Sequence, residues 1–118
     1  MKENVLKDKS YVLAIEIVML CKKLAMENKE YALFNQLLKS GTSIGANIRE
    51  AEFAQSKADF INKMSISLKE AAETEYWIML LRDTLYISAD TSRKMLELVI
   101  EIIKILISTV KNSKNPSI

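Results

Sequence analysis

The chain has 118 residues, 49% of them hydrophobic, with two glycines, one proline and a formal net charge of +2. That length supports one domain with its own core, and the scarcity of glycine and proline leaves room for few turns, which favours long helices and short connections. There is no histidine, which removes the commonest general base, metal ligand and near-neutral pH switch.

Charge does not segregate along the chain: residues 1–60 carry nine basic and eight acidic side chains, and residues 61–118 carry eight and seven. One copy is therefore not an obvious binder of polyanions. The single cysteine, Cys21, cannot form an internal disulfide, which fits a reducing, cytoplasmic setting. The opening residues are too polar for a signal peptide. The most apolar run, Leu98 to Val110, is interrupted by Glu101 and Lys104 and is too short to cross a bilayer. No alternating run of strand-forming residues lies between turn signals. The expected class is all-α, an antiparallel up-and-down four-helix bundle occupying residues 1–118.

The first helix is expected at about residues 4–26 and the second at about 30–53. Gly41 and Gly45 both fall inside the second, each costing about 1 kcal/mol relative to alanine. Leu37, Ile44, Ile48 and Ala51 nevertheless keep helical phase across them, so one continuous helix is expected. The third helix follows the capping-box-like Ser56-Lys57-Ala58-Asp59 and runs over about 57–87. The fourth spans about 91–111 after Ser88-Ala89-Asp90-Thr91, and residues 112–118 read as a disordered tail.

The fourth helix is unusually apolar. Its polar positions, Lys94, Glu97, Glu101, Lys104, Ser108 and Lys111, form a narrow stripe, whereas a bundle helix usually buries about three positions per heptad. The first helix repeats the pattern: from Val12 to Ala25 only Glu16, Lys22 and Lys23 are polar. Such faces left in water are an aggregation liability. Burial against further copies of the chain is the expected remedy.

A polar stripe, Gln36, Ser40, Ser43, Asn47 and Glu50, recurs along the second helix, and Lys63, Ser67, Glu70 and Thr74 line up on the third. The expectation is a tight crossing whose hydrogen bonds fix register, with Gly41, Gly45 and Ala46 permitting close approach. Catalytic chemistry finds no foothold. Gly41-Thr42-Ser43-Ile44-Gly45 lacks the lysine of a phosphate loop, Glu70 and Glu73 lack the histidines of a di-iron site, and Cys21 lacks an imidazole base. No catalytic residue, metal or cofactor is expected. Tyr76 and Trp77 read as core or subunit interface.

The run Gln36 to Ala51, then Gln55-Ser56-Lys57-Ala58-Asp59-Phe60, then Leu68-Lys69-Glu70-Ala71 with Glu73-Thr74-Glu75-Tyr76-Trp77, strongly resembles the four-helix bundle family encoded within 23S ribosomal RNA intervening sequences. That family is related to the accessory protein of diversity-generating retroelements. The resemblance extends over about residues 12–106. It implies a ring-shaped homopentamer with a central channel and no enzymatic activity. The retroelement relatives further imply association with structured nucleic acid, ribosomal or retroelement RNA or DNA, and with a partner protein such as a reverse transcriptase. If a basic surface exists, Lys22, Lys23, Lys39, Arg49, Lys57, Lys63 and Lys69 are its candidates. The alternative function is a protein-binding scaffold that makes no nucleic-acid contact.

Overall fold

The computed structural model describes residues 2–29 and 31–114, with side chains from Val5 onward. Four helices follow one another: α1 Lys2–Glu27, α2 Ala32–Ala51, α3 Lys57–Asp83 and α4 Ala89–Lys114. Each packs on its chain neighbours, α1 also meets α4, and no diagonal pair touches. The result is an antiparallel square bundle, a rod of 51 × 23 × 19 Å. The α2–α3 seam is the most extensive and the α1–α4 seam the thinnest.

Capping chemistry sets the boundaries. The Ser56 hydroxyl accepts from the Asp59 N–H at 3.0 Å, and the Asp59 carboxylate accepts from the Gln55 N–H at 3.2 Å. The short aspartate thus completes the box one residue before the cap. Ser88 caps α4 in the same way, its hydroxyl accepting from the Thr91 N–H at 3.1 Å.

Helix α3 stops at Asp83, four residues before the expected end. The Tyr86 N–H reaches back to the Leu81 carbonyl (2.9 Å) and the Leu85 N–H to that of Arg82 (3.1 Å). This Schellman pairing satisfies the terminal carbonyls and puts Leu85, not a glycine, at φ 68°. Helix α2 closes at Ala51, two residues short of 53, and α4 runs on to Lys114, so residues 112–114 are helix rather than tail. Residues 115–118, the rest of the expected tail, lie outside the described residues.

One buried stripe per helix forms the core. Leu13 and Ile17 from α1 meet Leu37 and Ile44 from α2, Ala71 and Ile78 from α3, and Val99 and Ile102 from α4. The second helix is continuous through both glycines, neither of which has positive φ. Their role is proximity. A Cβ on Gly41 would lie 3.1 Å from Ile17 Cγ2 and closer still to Cδ1, and one on Gly45 would lie 3.3 Å from Ser10 Oγ. The missing methyls let α1 settle against α2.

The surplus apolar surface expected on both the first and the fourth helix falls mainly on the first. On α4 the flanking Leu96, Leu98, Ile103, Ile105 and Val110 are half-buried against the neighbouring helices, leaving Ile100 and Ile107 exposed. On α1 the surplus faces outward. At about 100° per residue, Ile15 and Met19 point directly away from Leu13 and Ile17, and they are 49% and 59% exposed. Tyr11, Val12 and Val18 widen the stripe.

Gly41→Ala gains helix propensity of about 1 kcal/mol but forces a methyl into fully buried Ile17, and overpacking costs about 1–3 kcal/mol. Urea unfolding should therefore rank Gly41→Ala below Gly45→Ala by about 1 kcal/mol, since Ser10 has only tenths of an ångström to yield. Equal stabilities would mean that Gly41 does not set the α1–α2 spacing.

Candidate functional site

The expected polar stripes meet across the α2–α3 seam. Lys63 Nζ lies 3.0 Å from a Glu50 carboxylate oxygen. One turn inward, the buried Ser67 hydroxyl donates to the Ile44 carbonyl at 2.8 Å. Further along, the Thr74 and Ser40 hydroxyls meet at 3.0 Å, with the Glu70 carbonyl 2.8 Å from Thr74 Oγ1 and the Leu37 carbonyl 3.3 Å from Ser40 Oγ. Buried hydroxyls need such partners, because an unmet one costs about 1–3 kcal/mol. Sliding α3 by one residue would break both interhelical bonds, so they specify register.

The remaining stripe residues do other things. Asn47 and Ser43 turn back on their own helix, donating to the carbonyls of Ser43 (2.8 Å) and Lys39 (2.7 Å). Gln36 is exposed. Glu70 is half-buried, and its carboxyl is held above the ordinary carboxylate range, chiefly by desolvation and then by Glu73, against the pull of Lys69 and Lys39. Among the described residues, no three His, Cys, Asp or Glu side chains converge as metal ligands would.

The seven cationic candidates do not gather into one patch. Lys22 and Lys23 lie near the end of α1, with Lys23 4.0 Å from Glu27. Lys39 and Lys69 act on the same carboxylate, Glu70, from opposite helices. Lys63 is committed to Glu50, while Lys57 stands exposed at the start of α3. Arg49 lines a groove of about 430 Å³ between α1 and α2. Ser10, Tyr11 and Asp8 share that groove with Lys7, which pairs with Glu52 at 3.1 Å. Sequence reasoning did not find this groove. Its only sequence trace is the run of small residues Ala14, Gly45 and Ala46 that leaves it open.

The aromatic pair is split. Trp77 packs against the core with its indole N–H buried and without an acceptor among the described residues, whereas Tyr76 is exposed and meets the indole edge-on at 5.1 Å. Cys21 is buried, its thiol donating to the Phe34 carbonyl at 3.4 Å, and burial pushes its pKa up to about 11.

This bundle, with glycines on one side of α2 and hydroxyl latches on the other, can be set beside known proteins. The family model described as 23S rRNA-intervening sequence protein matches residues 2–108. The chain belongs to that family. A Bacteroides thetaiotaomicron protein of unknown function, described as from the S23 ribosomal protein family, has a similar crystal structure with a TM-score of 0.91. It is 57% identical over 94% of this chain and 99% of its own. No curated protein matches the chain. The family description names no activity, and the Bacteroides neighbour is described as of unknown function.

Three outcomes follow from the seam and its surroundings. Thr74→Val should lower stability by about 1 kcal/mol in chemical unfolding, since Ser40 keeps its bond to Leu37; no change would remove the latch. Because folding raises the Glu70 pKa, its ionisation opposes folding above the ordinary carboxylate range. Glu70→Gln should therefore stabilise the protein at neutral pH, and the gain should disappear as the pH drops below the normal glutamate value of 4.5. Cys21, neutral at pH 8, should react with a disulfide reagent only as fast as the fold opens; rapid native labelling would contradict its burial.

Proposed function

We propose that the protein is a non-enzymatic accessory protein that assembles with copies of itself and associates with structured RNA. The observation that carries the assembly is the outward stripe of α1, with Ile15 and Met19 set opposite the core face. Covering it removes apolar surface from water at roughly 25 cal/mol per Å². A ring of five copies around a channel is the arrangement that the resemblance to the intervening-sequence family implies. The hydroxyl and amide groups of Ser40, Ser43, Asn47, Ser67 and Thr74 are taken up by bonds across the seam and within their own helices, which favours a binding role over catalysis.

RNA association is supported by the 23S rRNA context in the family's name and by cations that have no carboxylate within ion-pair distance among the described residues: Lys22, Lys39, Arg49, Lys57 and Lys69. Five copies would carry +10 in place of the single chain's +2, and repeating weak phosphate contacts around a ring is how a modest charge becomes useful. The scaffold reading draws on the ion pairs Lys7–Glu52, Lys9–Glu101 and Lys63–Glu50, which neutralise part of the basic surface.

Light scattering of the purified protein should give a mass several times 13.4 kDa, and Ile15→Glu combined with Met19→Glu should reduce it to that of one chain. A monodisperse 13.4 kDa particle from the unaltered protein would end the assembly model. Filter binding to a structured ribosomal RNA fragment should weaken as a power of salt concentration, by about 0.7–0.9 in the exponent per phosphate neutralised. Absence of binding at about 50 mM salt, where such contacts are strong, would leave the scaffold reading in place.

A further inference from the structure

A ring contact joins two different patches of the same chain, so the outward stripe of α1 needs a receiving face elsewhere on the bundle. Three helices could supply it. Helix α2 exposes no large apolar side chain among its described residues. Helix α4 exposes Ile100 and Ile107. The Lys9–Glu101 ion pair, however, sets Ile100 about level with Ser10 and Ile107 nearer the start of α1, away from Ile15 and Met19. Helix α3 exposes Ile66, Tyr76 and Met79, with Ala72 open to water among them. It also occupies the corner diagonal to α1, and the two helices do not touch within one chain.

The contacts across α2 fix how α1 and α3 stand in height. Gly45 faces Ser10 while its neighbour Ile44 accepts from Ser67, and Gly41 faces Ile17 while its neighbour Ser40 meets Thr74. Ser10 is therefore level with Ser67, and Ile17 with Thr74. The same offset sets Ile15 level with Ala72 and Met19 level with Tyr76. Rotation about an axis along the rods preserves height, and α1 and α3 run in the same direction, so the next copy presents small Ala72 opposite projecting Ile15. The charges match as well. Glu16 and Lys22 on α1, and Lys69 and Glu75 on α3, have no ion-pair partner among the described residues. Glu16 lies about one turn beyond the height of Lys69, and Lys22 about one turn beyond that of Glu75, a single displacement that suits both couples. We propose that the α3 face around Ala72 and Tyr76 receives the α1 stripe of a second copy, with Ile15 seated over Ala72 and Lys69 and Glu75 answering Glu16 and Lys22. The ion pairs fix register and the apolar residues supply the attraction. The inference rests on the assembly reading above, names its second face, and leaves Lys39, Arg49 and Lys57 free for phosphate.

Cysteine pairing tests it, because Ile15 and Ala72 are exposed and the native Cys21 is buried. Full-length Ile15→Cys and Ala72→Cys chains would be refolded separately and together, then mildly oxidised. A disulfide-linked pair should form in the mixture and in neither protein alone, and the double variant should give a ladder of linked chains on a non-reducing gel. Ala72→Arg should lower the light-scattering mass to 13.4 kDa while keeping its helical circular dichroism. The proposal is overturned if the parent assembles but the mixture does not cross-link, if Ile15→Cys links to itself, or if Ala72→Arg leaves the mass unchanged. A parent with the mass of one chain would instead overturn the assembly reading and this inference together.

Discussion

Helix α2 is packed closely on two sides, by different chemistry on each. Toward α1 it presents absent side chains: Gly41 admits Ile17 and Gly45 admits Ser10. Toward α3 it presents an acceptor carbonyl at Ile44 and a hydroxyl at Ser40, which Ser67 and Thr74 find. The first arrangement sets a distance and the second sets a register. With both fixed, α1 and α3 have defined positions, and α4 fills the remaining corner against them. A helix that must be narrow on one side and polar in selected places on another tolerates few alternative sequences. This explains why Gln36 to Ala51 sets glycines and hydroxyls into an otherwise apolar buried stripe.

Much of this was open to reading in the sequence. The helix count, their order and the continuity of α2 through its glycines follow from apolar spacing, because a core stripe must recur in phase wherever it is buried. The Ser56 cap was visible because its partner sits three residues away. The end of α3 was hidden for the opposite reason. Thr84-Leu85-Tyr86-Ile87 contains no glycine to mark the left-handed position, and Ile87 keeps the apolar pattern going even though the chain has already turned.

Surface chemistry was harder to foresee, because it depends on which neighbour covers which flank. Both α1 and α4 are rich in apolar residues, yet α1 and α3 shelter much of the excess on α4, whereas Ile15 and Met19 on α1 have nothing opposite them. Likewise, charge type alone could not separate Lys63, paired with Glu50, from Lys57, which stands exposed. The two members of the Tyr76–Trp77 pair are adjacent in sequence but differ in exposure, since a step of one residue turns a helix by more than a quarter of a circle.

The rod shape keeps the two kinds of surface apart. Its long walls consist of helix alone, and all three connections lie at the tips. Copies that met along their walls, as proposed above, would leave the tips uncovered, and rotational symmetry would repeat each tip once per copy on a common rim.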